Sequence, residues 1–449
     1  MTASRDIPKP ELLVRLPFRT RMAYGFASLG TGNFLVVPQL FLLFYMTEFL
    51  GIPAMWASLT LLLPKLWEFV TDPYIGMRSD RASTHWGRRH PFMLVGAFLL
   101  SIGIALVFNV PSFDSTQARW LFVTAMFVLA TTGYALFIVP YTALLGEIAI
   151  DPRERTHLVA VRMGFLGLSL LIAAVFWPQV LVSLGHSDFG YAVLGGGVGL
   201  VCLVAMLVTV LGTSEGRRQP GMASEPAFLE HLRMVLRERA FAMLALAYGL
   251  QVMAQSINST VLAYVGKYIS HLGDSFLPTY FGLATAVSVL AMAGWSMAAK
   301  HLGNRRCFIL GSMLSVCGYL LSMAGLNSPF WVLAVGATLG GIGFSATQVF
   351  GFSLLPAVVD HHQRTTGIPR DGAFTGVWVG WEKIGLAVGA SLAGLVLGAF
   401  GFIASSGESV DQPAEAVSAI FWLFGPVPAV LALLSVLPLL SRSLRALKS

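Results

Sequence analysis

The sequence predicts an all-α membrane protein of twelve transmembrane helices, arranged as two six-helix halves with both termini in the cytoplasm. Three observations carry this expectation. Of 449 residues, 56% are hydrophobic and 11% charged, where soluble domains carry about 25% charged residues. The apolar residues gather into runs of roughly 20 or more, enough for one helix to cross a bilayer, near 22–46, 53–78, 91–110, 118–145, 157–184, 190–212, 241–270, 276–299, 306–326, 329–357, 373–402 and 416–440. Lysine and arginine fall on alternate loops: one side receives nearly all of them, the other only Arg119 and Lys267. By the positive-inside rule the basic side is cytoplasmic and the number of crossings is even.

Residues 1–21 form a polar tail in which Arg5, Lys9, Arg15 and Arg19 are mixed with Pro8, Pro10 and Pro17 and no apolar core. Such a segment is not a cleavable signal peptide and is expected to stay in the cytoplasm. The first half covers 22–212, and the longest polar stretch, 213–240, is a cytoplasmic linker whose second part, 225–239, reads as a short amphipathic surface helix. The second half covers 241–440, and 441–449 is a cytoplasmic tail. A faint repeat supports the division: Gly87-Arg88-Arg89-His90-Pro91-Phe92 opens the third span and Gly303-Asn304-Arg305-Arg306-Cys307-Phe308 opens the ninth, half a chain later. The net charge of +7 is spread over these loops rather than gathered in a patch, which argues against nucleic acid as a partner. Cys202, Cys307 and Cys317 lie in apolar runs without metal spacing, so neither a disulfide nor a metal site is expected.

The second span carries the chemistry. Lys65, Glu68 and Asp72 stand at i, i+3 and i+7, on one helix face. A charge in hydrocarbon costs roughly 2.5–3.5 kcal/mol on insertion scales, so three on one stripe must face protein, water or each other. One lysine cannot satisfy two acids, and the remaining carboxylate requires a proton, a cation or another partner. Pro73 follows Asp72, removing a backbone donor beside the acids. A break in the helix there, with freed carbonyl oxygens, is the expectation, and the whole reads as an ion or solute pathway.

Other spans hold further candidates. In the eleventh, Trp378 and Trp381 share a face, whereas Glu382 and Lys383 turn away at about 100° per residue. The tryptophans suit either a sugar face or packing between helices. Lys383 suits either solute contact or counter-charge to the second-span acids. The amides Gln251, Gln255 and Asn258 of the seventh span suit hydroxylated ligands or interhelical bonds equally.

Four stretches in order then resemble one family. They are Lys65 to Pro73 with Gly76; Asp80 to Phe92; Val139-Pro140-Tyr141-Thr142-Ala143-Leu144 with Glu154, Arg155 and Arg162; and Leu355 to Asp360 with Gly367, Arg370, Gly372 and Lys383-Ile384-Gly385. Together they resemble the glycoside-pentoside-hexuronide:cation symporters, the melibiose permease-like branch of the major facilitator superfamily, over nearly the whole chain. The resemblance implies a secondary transporter rather than an enzyme, in the cell membrane, with the major facilitator fold and alternating access between parallel halves. It places the Na+ or H+ site on Glu68 and Asp72 and basic cavity residues on Lys65, Arg162 and Lys383. Asn33 and Tyr141 join Trp378 and Trp381 as expected solute contacts. Asn33 and Ile138 stand where melibiose permeases carry aspartates, which argues against a galactoside and, with few hard oxygens at the site, favours H+ over Na+. The Ile138-Val139-Pro140-Tyr141 version also resembles the lysophospholipid symporters, and the segment from Ser79 to Phe92 resembles the plant sucrose carriers.

A sugar or glycoside is therefore the expected solute and a lysolipid or other amphipathic solute the alternative, in a lipid-embedded monomer with no cofactor besides the coupling ion. Asp80, Arg81, Arg88, Arg89, Arg155, Asp360 and Arg370, on loops 78–90, 151–155 and 360–370, are expected to close the cytoplasmic mouth through ion pairs when the cavity opens outward. Two rivals remain. One is a membrane transferase using Asp360-His361-His362, which lacks a nucleophile or phosphate-binding motif beside it; the other is a sensor that binds without transporting.

Overall fold

Long apolar runs in a bilayer must satisfy their backbone hydrogen bonds internally. In a computed structural model they do so as helices; the structure describes residues 16–149, 152–213, 235–366, 371–407 and 410–445, apart from positions 83, 85 and 236. The helices are α1 (Phe18–Glu48), α2 (Ala54–Arg81), α3 (His90–Val107), α4 (Thr116–Ile148), α5 (Glu154–Ser183), α6 (Asp188–Gly212), α7 (Arg239–Tyr268), α8 (Phe276–Leu302), α9 (Asn304–Gly325), α10 (Phe330–Thr366), α11 (Asp371–Ala399) and α12 (Ala414–Leu439). Eleven of these are long and apolar enough to cross a membrane. The twelfth, α2, has spanning length at 28 residues, but Lys65, Glu68 and Asp72 interrupt its apolar run.

The packing repeats with a period of six helices. α1 packs on α5 and α6, α3 on α4 and α6, and α2 on α4; correspondingly α7 packs on α11 and α12, α9 on α10 and α12, and α8 on α10. The seams between the halves obey the same relation, α2 against α11 and α5 against α8, with α1 against α7 on the axis. Close approach depends on small residues, because lipid tails give apolar side chains no reason to prefer each other. A methyl on Gly133 of α4 would fall on the backbone of Leu100 in α3, and one on Gly318 of α9 on that of Gly340 in α10. Gly133→Val is expected to cost about 1–3 kcal/mol and to lower the melting temperature in detergent. Gly146→Ala, which meets open space, is expected to leave it unchanged; equal melting of the two variants would contradict this account of the α3–α4 seam.

Four local features differ from expectation. α2 runs unbroken through Pro73 to Arg81, so the helix break expected beside Asp72 is not formed and the ring is accommodated in a continuous helix. Within α5, Ile172–Phe176 form a π turn before α-helix resumes at Trp177; Pro178 gives no N–H to the preceding turn and crowds its carbonyl, which the wider turn relieves. The last span is three short helices, Ala414–Phe424, Pro426–Leu434 and Val436–Leu439, interrupted where Gly425, Pro426 and Ser435 fall. α10 also continues through Asp360, His361 and His362 to Thr366, so this triplet lies on a helix end rather than in a loop.

Polar contacts joining α1 to α7 lie in the second half of both helices, at Gln39 with Ser256 and Thr260, and at Thr47 with Tyr264. Ser391 of α11 donates to the Ser58 carbonyl near the start of α2. These residues approach the end of the bundle remote from the 213–239 connection, and that end is shut.

Candidate functional site

The face of α2 that bears three charges meets α11 in the middle of the seam. Lys65 Nζ lies 2.6 Å from Glu68 Oε1. Lys383 Nζ reaches across from α11 to Asp72 Oδ2 at 2.7 Å and Glu68 Oε2 at 3.0 Å. The partner that the second-span acids require is thus an ammonium from the other half. Two carboxylates and two ammoniums balance, which makes four charges tolerable in a membrane interior. Glu68 is 1% exposed, whereas the side chains of Asp72 and Lys383 retain 26% and 18% of their surface. The cluster is therefore sealed at Glu68 and reachable at Asp72.

One carboxylate oxygen, Asp72 Oδ1, is buried without a hydrogen-bond donor, whereas Glu68 Oε2 is held by the Lys383 ammonium. Such an atom as Asp72 Oδ1 is a ready acceptor for a proton or a small cation, since a buried acceptor left unsatisfied costs free energy. Tyr134 of α4 closes the group: Lys383 Nζ lies 5.6 Å from its ring centroid, and its hydroxyl is within electrostatic reach of Glu68, Asp72 and Arg162 as well.

Arg162 on α5 lies against the Tyr141 ring at 5.3 Å, and Tyr141 stacks on Tyr24 of α1 at 4.6 Å. Among the described residues no carboxylate pairs with Arg162. Asn33 is fully buried with its amide committed: Nδ2 donates to Ser169 Oγ at 2.8 Å, and Oδ1 accepts from Trp177 Nε1 at 2.8 Å, fastening α1 to α5. Trp378 is likewise buried, stacked on Tyr248 of α7 at 4.5 Å, and Trp381 donates to the Ala245 carbonyl at 2.7 Å. Both tryptophans pack α11 on α7. Of the residues expected at the solute, Lys65, Arg162, Trp381 and Lys383 keep some exposed surface in this conformation, whereas Asn33, Tyr141 and Trp378 keep almost none. Glu382 turns toward α7 and accepts from Tyr248 Oη at 2.7 Å. The amides of α7 join helices: Gln251 donates to Ser435 Oγ at 2.9 Å and Asn258 to the Phe424 carbonyl at 2.7 Å.

At the linker end, Arg89 pairs with Asp80 at 3.0 Å, and both Arg88 and Arg89 reach Glu147 at 2.6 Å. These pairs lie within the first half and do not cross to the second. Arg155 approaches the Ala149 carbonyl at 3.4 Å, Arg81 and Asp360 are exposed, and Arg370 lies outside the described residues. Glu147 was not anticipated; its only signal is an acid at the end of the fourth span facing a paired-arginine loop.

The sequence profile described as MFS/sugar transport protein matches residues 23–444. The chain belongs to the MFS/sugar transport protein family. Relatives of this sugar transport family include an uncharacterized symporter of Synechocystis sp., 27% identical over 92% of each chain. The isoprimeverose transporter of Lactiplantibacillus pentosus is 24% identical over 92% of this chain and 86% of its own. A glucuronide carrier protein homolog of Escherichia coli is 26% identical over 88% and 87%. Among solved structures, a peptide transporter POT in complex with sulfate superposes with a TM-score of 0.68 at 14% identity, covering 97% of this chain and 98% of that one. A bacterial homolog of the human lysosomal transporter Spinster gives 0.66 at 15% identity over 94% and 95%. At such identities these two structures establish the fold alone. As a member of the MFS/sugar transport protein family, the chain is a multi-pass transporter of the cell membrane and not an enzyme, which disposes of the transferase reading of Asp360-His361-His362.

Proposed function

We propose that the protein is a cation-coupled symporter that moves a sugar or glycoside inward by alternating access, working as a monomer, with H+ or Na+ taken by Glu68 and Asp72. The observation that carries this reading is Lys383 bridging the halves onto two carboxylates, of which Asp72 keeps an unused oxygen, Oδ1. In the described conformation the ammonium of Lys383 occupies the place of the ion. An arriving H+ or Na+ neutralises the acids, releases Lys383 from α2 and leaves it, with Lys65 and Arg162, to face the solute. Ion and solute then favour the same state, which is the thermodynamic content of coupling. The scarcity of hard oxygen ligands beside Lys65 favours H+.

The arginine-rich linker side is assigned to the cytoplasm by its charge, and since the remote end is shut, this conformation is the inward-facing one. The pairs of Asp80, Arg88 and Arg89 then exchange partners across the halves when the cytoplasmic mouth closes. Relatives named for isoprimeverose and glucuronide support a glycoside. Counterflow in proteoliposomes against neutral glycosides, uronides and lysolipids, with and without Na+ at two pH values, tests the reading. Glycoside exchange that accumulates solute under a pH or Na+ gradient is expected. Exchange of lysolipid alone would replace the solute class, and solute binding without counterflow would replace transport by sensing.

A further inference from the structure

We propose that Glu48 is the charged member of a latch that closes the mouth remote from the linker, and that this latch sets the balance between the two access states. The inference goes beyond the symport reading and requires neither ion nor solute. α1 ends at Glu48, and its side chain is received entirely by the other half. Lys267, in the last turn of α7, forms an ion pair with Oε2, while Tyr268 Oη donates to Oε1 at 2.7 Å. Between α11 and α12, Ser405 Oγ donates to the Glu48 carbonyl at 3.0 Å and lies 3.2 Å from Oε2. The backbone N–H groups of Ser405 and Gly407 donate to the carbonyls of Thr47 and Glu48, each at 2.8 Å. Thr47 and Tyr264 hydroxyls meet at 2.7 Å one turn below. One carboxylate thus joins three elements across the boundary that must open.

The pair is asymmetric. Glu48 is 0% exposed, whereas the Lys267 side chain keeps 33% of its surface. When the halves part, water reaches both ions, so opening needs no new protein partner for either. Removing Lys267 leaves a fully buried anion without its counter-charge in the closed state, whereas removing Glu48 leaves an ammonium that is already partly hydrated. Breaking a buried pair from the buried side's perspective is the costlier change. Lys267→Gln is therefore expected to favour opening more than Glu48→Gln, and the double variant to open less than Lys267→Gln alone, a non-additive pattern that packing loss does not give.

The test uses spin labels on S112C and H271C, exposed positions in the α3–α4 and α7–α8 loops at this mouth, in a C317S background where Cys202 and Cys307 are buried. Distances are measured by electron-electron resonance in lipid nanodiscs without solute. The separated population is expected to rise about tenfold or more in Lys267→Gln, less in Glu48→Gln, and to fall back in the double variant. Wild-type distances in Lys267→Gln, or simple additivity in the double variant, overturn the proposal. Should Lys267→Gln fail to fold, unchanged distances in Glu48→Gln overturn it equally.

Discussion

Lys383→Gln is expected to lose net uphill uptake while keeping solute exchange. In the empty carrier Lys383 supplies one of two ammoniums that balance Glu68 and Asp72. Without it the ion-free cluster carries one uncompensated negative charge, and moving that charge through the closed intermediate costs roughly 2.5–3.5 kcal/mol by the insertion scales. At 1.36 kcal/mol per tenfold, return of the empty carrier slows by about 100-fold. The loaded carrier is spared, because the coupling ion neutralises the acids in place of the lysine. Counterflow with solute on both sides cycles only the loaded form and continues. Net uptake into solute-free vesicles, which requires the empty return, is lost. Parallel loss of both activities in a folded variant would make Lys383 a solute contact instead, and normal net uptake would remove it from the cycle.

Glu68→Gln and Asp72→Asn should each abolish accumulation, bringing the internal and external solute concentrations level at steady state, with expression retained. Their stability effects should differ. Glu68 takes both Lys65 and Lys383 and is almost wholly buried, so its neutralisation removes two ion-pair contacts from a sealed position. Breaking a buried pair costs about 3–5 kcal/mol. Of the two lysines only Lys383 lies at ion-pair distance from Asp72, which keeps surface open to water, so water compensates part of its loss. Detergent melting should therefore fall further for Glu68→Gln than for Asp72→Asn. Steady-state accumulation in either variant, driven by a pH or Na+ gradient, would remove that carboxylate from coupling.

Much of this was legible in local pattern. Hydropathy placed twelve spans near the bounds of the observed helices, eleven of them long and apolar enough to cross a membrane, because a bilayer imposes length and apolarity on each separately. The spacing of Lys65, Glu68 and Asp72 announced a shared face, and the excess of acid over base on it announced a missing partner. Long-range pairing was less accessible. That Lys383 supplies the missing charge was one of two open readings, because its partners lie 311 residues away in Asp72 and further still in Glu68. Glu48 escaped notice: a lone acid at a span end reads as an interfacial residue until Lys267, 219 residues on, is seen against it. Its position at the end of the first span, with Lys267 at the end of the seventh, is the signal that half-chain symmetry offered. Asn33 and Trp378, read as solute contacts, are committed in this conformation to α5 and α7 by partners that sequence spacing does not reveal.

Transport as proposed requires that the carboxylates of Glu68 and Asp72 change occupancy when the coupling ion binds. Infrared difference spectra of the reconstituted protein, recorded on switching pH or adding Na+ in the presence of solute, read this directly. Carboxyl or carboxylate bands that disappear in the Glu68→Gln/Asp72→Asn double variant are expected. Unchanged ion-induced bands in that variant would contradict this requirement.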